Sequence, residues 1–131
     1  MEVSKDLLPV IALLIFIGIT FLFSFWDKVS SWGGNTSFLR NHFQGTFVKH
    51  MVPISLWVIT VLELVAGVGA ILGIFYYVAG DKELALYSVC IALLVLFIFL
   101  IGQRIAKDFD GAMKIVVYLI PTMFCLYLLT Q

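Results

Sequence analysis

Four long apolar blocks separated by shorter polar breaks make up the chain, running from Leu7 to Trp26, Val52 to Phe75, Leu84 to Gly102 and Ala112 to Leu129. Each has the ~17–25 residues that an α-helix needs to cross ~30 Å of hydrocarbon at ~1.5 Å per residue. Backbone exposed to lipid must satisfy its own hydrogen bonds. The blocks therefore predict an all-α polytopic membrane protein, an antiparallel four-helix bundle with spans over about residues 7–27, 52–75, 84–104 and 112–130. These spans take up nearly all of one domain, residues 1–131, and leave no room for a soluble catalytic domain. Glu2 and Asp6 stand against Lys5 at the start, and the first block is longer than a signal-peptide core of about 7–15 residues. It reads as a retained helix.

The breaks differ in character. The first, "VSSWGGNTSFLRNHFQGTFVKHM", is far longer than the usual ~2–8 residues of a bundle connection. Ser30 to Ser37, with the Gly33-Gly34 pair, reads as a flexible turn. Phe38, Phe43 and Phe47 then recur among Arg40, His42, Gln44 and Lys49, which predicts a segment lying in the headgroup layer. The Asn35-Thr36-Ser37 triplet matches a glycosylation acceptor, but the topology derived below puts it inside the cell. In the second break, Gly80 is suited to end one helix and Asp81 to cap the next. The third, Arg104 to Lys114, nearly cancels its own charge and reads as a solvated turn, with docking of a cytoplasmic partner as the functional alternative.

Composition agrees with a bilayer setting: 63% of residues are apolar, 12% are charged, and the mean hydropathy is +1.12. Net charge is +0, so no basic nucleic-acid surface is expected. Lys28, Arg40, Lys49, Arg104, Lys107 and Lys114 lie in or beside the first and third breaks, whereas Lys5 and Lys82 lie on the other side. The positive-inside rule then puts those two loops in the cytoplasm and both termini outside.

The residue that stands out is Glu63, one carboxylate within the second block. It lies ten residues beyond Pro53, a rise of ~15 Å that brings it near the middle of the hydrocarbon, where an acid is expected to face protein and to be largely neutral. Ala66, Gly67 and Ala70 follow on its face, and Gly69 and Gly73 form a GxxxG on an adjoining one. Thr20, Ser24 and Asp27 share a stripe on the first span. Lys114, Tyr118, Thr122 and Cys125 share one on the fourth, with Pro121 beside it. The expectation is a polar centre between the first, second and fourth spans. Glu63 is deepest, Thr20, Ser24, Asp27, Lys28 and Tyr118 surround it, and Arg104 pairs with Asp27. In the structural alternative, Glu63 holds the helices in register through one hydrogen bond.

Other chemistries find little support. Cys90 and Cys125 form no CxxC, although a disulfide on an oxidising outer side is conceivable. His42 and His50 lack the further ligands of a metal site, and the spans contain no histidine for haem. No metal and no cofactor of the chain's own is predicted.

The segments "GITFLFSFWDKVSSW" from Gly18 and "VPISLWVITVLELVAGVGAILG" from Val52 resemble the DoxX-like family of small four-helix membrane proteins. The matching features are Ser24-x-x-Asp27-Lys28, the proline opening the second span, and Glu63 followed by Gly67, Gly69 and Gly73. The resemblance covers roughly the first 75 residues. It implies a bundle in a bacterial inner membrane and an association with redox chemistry: one branch is a subunit of thiosulfate:quinone oxidoreductase, and a related one accompanies methylamine utilisation. The resulting expectation is a small subunit of a quinone-associated redox complex, not catalytic alone, with a protein partner and a quinone as the ligand to consider. A structural or assembly factor for another membrane complex is the alternative, with the glycine strips as its interaction surface. A transporter ranks last, since a proton relay usually needs more than one deep titratable group.

Overall fold

The computed structural model describes residues 5–46 and 50–131. Glu2, Phe47 and Lys49, which entered the reading above, lie outside them. A 3₁₀ turn at Lys5–Leu7 leads into α1 (Leu8–Ser30), followed by α2 (Trp32–His42), α3 (Val52–Val78), α4 (Glu83–Ile105) and α5 (Phe109–Leu129). No strand occurs among the described residues. The helices α1 (with its leading turn), α3, α4 and α5 are long and apolar enough to span a membrane. Their outward positions are apolar too, with Phe23, Ile54 and Phe75 all more than 60% exposed, as surfaces against lipid require.

Around the bundle the order is α1–α3–α4–α5, with α5 returning against α1. Glycines set the closest approaches. On α3, a β-carbon at Gly73 would lie 3.0 Å from the Ala85 Cα and 3.1 Å from its nitrogen, so the α3 and α4 backbones are in contact at that level. Gly69 meets Ser88 one turn earlier. The Gly69/Gly73 strip is therefore used inside the bundle, as packing between α3 and α4, and not as the open interaction surface of the assembly-factor alternative. Small residues allow such approach because apolar side chains gain little by leaving lipid for each other.

Antiparallel register follows from the other face of α3. Gly67 packs against Leu22 and Gly18 against Ile71. Moving eight residues on from Leu22 to the end of α1 at Ser30 moves eight back along α3, from Gly67 to Ile59. The first seven residues of α3, Val52 to Val58, thus extend beyond α1, by ~10 Å at ~1.5 Å per residue. α2 covers that overhang.

Helix α2 begins at Trp32 and includes Gly33 and Gly34, which corrects the flexible turn expected over Ser30 to Ser37. The cause lies at the end of α1, whose last carbonyls have no partner within their own helix. The Asn35 side-chain amide donates to the carbonyls of Asp27 at 3.2 Å and Ser31 at 2.9 Å, and the Thr36 hydroxyl donates to Trp32 O at 2.9 Å. These bonds hold the chain in a second helix despite the glycines.

The other two connections are tight. Gly80 takes φ +100° after α3, and Asp81 Oδ1 accepts the Glu83 N–H at 3.0 Å. After α4 the left-handed position falls on Lys107, at φ 61°. Asp108 then caps α5 by accepting the Gly111 N–H at 2.9 Å.

Candidate ligand centre at the α2 end of the bundle

Glu63 is fully buried on α3. Its register places it level with residue 26 of α1, one turn short of the helix end. From there the Lys28 side chain reaches back: helical side chains lean toward the N-terminus, and on α1 that direction leads into the bundle. Lys28 Nζ lies 2.9 Å from Glu63 Oε1, donates to the Ser24 hydroxyl at 2.8 Å, and sits 5.4 Å from the centre of the Phe99 ring. One ammonium thus joins α1, α3 and α4. The Lys28 ammonium is the partner of the Glu63 carboxylate, and the Ser24 hydroxyl sits on the same ammonium.

The structure brings only part of the expected set together. Glu63, Lys28 and Ser24 meet. Asp27 is exposed, with its backbone carbonyl bonded to Asn35. Thr20 is half-buried and makes no hydrogen bond to the centre among the described residues. Arg104 is exposed and lies 4.9 Å from the centre of the Phe109 ring, not against Asp27. Tyr118 is 40% exposed and stacks on Phe16 at 6.2 Å.

The fourth span, α5, therefore contributes nothing to the Glu63 centre, contrary to expectation. It lies diagonally across the bundle from α3, and α4 takes its place through Phe99. Thr122 bonds back to Tyr118 O at 2.8 Å, and Thr60, one turn from Glu63, to Leu56 O at 2.6 Å. Such back-bonding satisfies hydroxyls inside a helix and takes them out of play. Of the packing residues, Gly67 and Ala70 are buried on the Glu63 side, Gly67 against Leu22. Cys90 and Cys125 are both free, one exposed and one buried.

Where α3 outruns α1, a cavity of about 480 Å³ lies beneath α2. Lys28 lines it from α1, Ser55 and Ile59 from α3, Phe99 and Ile101 from α4, and His42 from α2. The size falls within the ~300–1,000 Å³ of small-molecule sites. A second polar cluster also borders it: His42 Nε2 lies 2.8 Å from Gln103 Oε1 and 3.5 Å from Asp108 Oδ2. His42 is sandwiched by Phe38, stacked at 5.6 Å, and Phe43, edge-on at 5.2 Å. No group of side chains able to hold a metal ion occurs among the described residues.

Sequence reasoning missed this cavity and the His42–Gln103–Asp108 cluster. The cluster joins residues 61 apart in the chain, for which no local spacing gives a signal. The Lys28–Glu63 pair had one: a lysine in the last turn of a span whose side chain can lean inwards.

The family model for MauE, methylamine utilisation protein, matches residues 5–112. That covers more than half of the chain, which therefore belongs to the MauE family. The match is compatible with the DoxX-like resemblance of the stretches from Gly18 and from Val52, of which a related branch accompanies methylamine utilisation. No curated protein and no solved structure matches the chain.

Proposed function

We propose that this member of the MauE family is a small integral membrane accessory subunit of a redox-linked methylamine utilisation system, with Glu63, Lys28 and Ser24 as a quinone-proximal polar centre. The observation that carries the reading is the fully buried Glu63 carboxylate, held at 2.9 Å by the Lys28 ammonium. Buried ionisable groups in spans are costly and tend to face a functional interior. In this reading the centre hydrogen-bonds a quinone head or passes a proton, and the redox cofactor belongs to a partner enzyme. The chain sits in a bacterial inner membrane with both termini outside. α2 and the Arg104–Lys114 loop, on the cytoplasmic face, dock the partner.

The test uses a host lacking its own copy, complemented with the native chain or with Glu63→Gln. Quinone-dependent oxygen uptake on methylamine is expected to fall while the amount of protein in the membrane is unchanged. Unchanged uptake removes the role of Glu63. A second reading is favoured by the way Lys28 ties α1 to α3 and α4: the pair is glue, and the chain is a structural or assembly factor. Under it, Glu63→Gln lowers the amount of protein and the activity together.

A further inference from the structure

We propose that the cavity beneath α2 is the binding site of an uncharged amphiphile, a carbonyl-bearing head on a hydrocarbon tail, with Lys28 donating to the head. The inference rests on the reading of Lys28 and Glu63 as a ligand centre and adds the location, the head chemistry and the donor. Three observations support it.

The first is shape. The cavity arises because α3 continues past the end of α1 under α2, and its walls are mostly aliphatic or aromatic, among them Ile59, Phe99 and Ile101. A tail finds the same apolar surroundings there as in lipid.

The second is charge. Among the described residues, the formal charges lining the cavity are Lys28 and Asp108, which cancel, and Glu63 lies directly behind Lys28. A carboxylate or phosphate head entering here would meet two acids for one ammonium that is already paired. An uncharged head meets no such repulsion.

The third is hydrogen bonding. An ammonium has three donor positions. Lys28 directs one at Ser24 and one toward Glu63, which leaves one for a carbonyl oxygen in the cavity that it lines.

The experiment titrates the purified full-length chain in nanodiscs with three probes: decylubiquinone, dioctanoylglycerol and oleate. Each native titration is compared with Ser55→Trp and Ile101→Trp, which fill the cavity from α3 and α4, and with Lys28→Met, which removes the donor. Circular dichroism and size exclusion identify variants that keep the fold.

Saturable binding of one neutral probe is expected, tighter than oleate. It should weaken roughly tenfold to a hundredfold on loss of a charged donor, and should be lost in at least one folded tryptophan variant. Preference for decylubiquinone identifies a quinone-type head, and preference for dioctanoylglycerol a lipid ester. Tighter binding of oleate, binding unaffected by both tryptophans, or no saturable binding overturns the proposal. If binding is found but no redox enzyme accompanies the chain, the site stands and the proposed function falls. A redox partner with no saturable binding means the reverse.

Discussion

Removing Lys28 should harm the fold more than removing Glu63 and Lys28 together. At 2.9 Å the gross attraction of the pair is about 6 kcal/mol at an effective dielectric constant of about 20. Burying the two charges offsets most of that, so the net worth of the pair is small. The loss is large only when one charge is left behind. Glu63 is 0% exposed and Lys28 16%, which makes the two single changes unequal. Lys28→Met strands a fully buried carboxylate at a cost of about 3 kcal/mol, the lower end for breaking such a pair because water reaches the lysine side. Glu63→Leu leaves an ammonium that can turn out along its flexible stem, at about 1 kcal/mol. The double variant should lose about 1 kcal/mol, not the ~4 kcal/mol of the two singles added, because it contains no stranded charge. The assay is unfolding in mixed micelles with increasing dodecyl sulfate, followed by circular dichroism. Additive losses would show that the two side chains do not interact and would refute the reasoning.

Three further predictions concern the frame around the centre. Gly73→Leu should destabilise the bundle by about 1–3 kcal/mol or more, since even a β-carbon would press on the Ala85 backbone; the same unfolding titration reads it. Gly34→Ala should do the opposite and add about 0.5–1 kcal/mol, because nothing lies within 4 Å of the new methyl and the position is helical; its midpoint should rise. Asp108→Ala removes the cap on the Gly111 N–H and the acid beside His42, so about 1 kcal/mol should be lost, and hydrogen exchange of α2 amides should quicken.

The spans were legible because their signal is one-dimensional: a run of apolar residues long enough for a bilayer implies a helix wherever it occurs. The tight turns were legible for a similar reason, since Gly80 and Asp81 act within a few residues of themselves. Glu63 declared itself as the one acid deep in a span. What surrounds it did not, because its neighbours depend on which helices are adjacent. The stripe through Tyr118 and Thr122 is polar on paper, yet α5 lies across the bundle and Thr122 bonds to its own helix. Helix α2 was hidden by Gly33 and Gly34, whose low helix propensity is outweighed by Asn35 bonding the open end of α1. The cavity follows from the unequal lengths of α1 and α3 at one end, which becomes visible only once Gly67 is set against Leu22.

The most direct test of the accessory role is purification of the chain from its own membrane in mild detergent, with mass spectrometry of the proteins that accompany it. The account predicts a stoichiometric redox enzyme of methylamine utilisation, retained through size exclusion. Recovery of the chain alone, or with a membrane partner that has no redox activity, would contradict it.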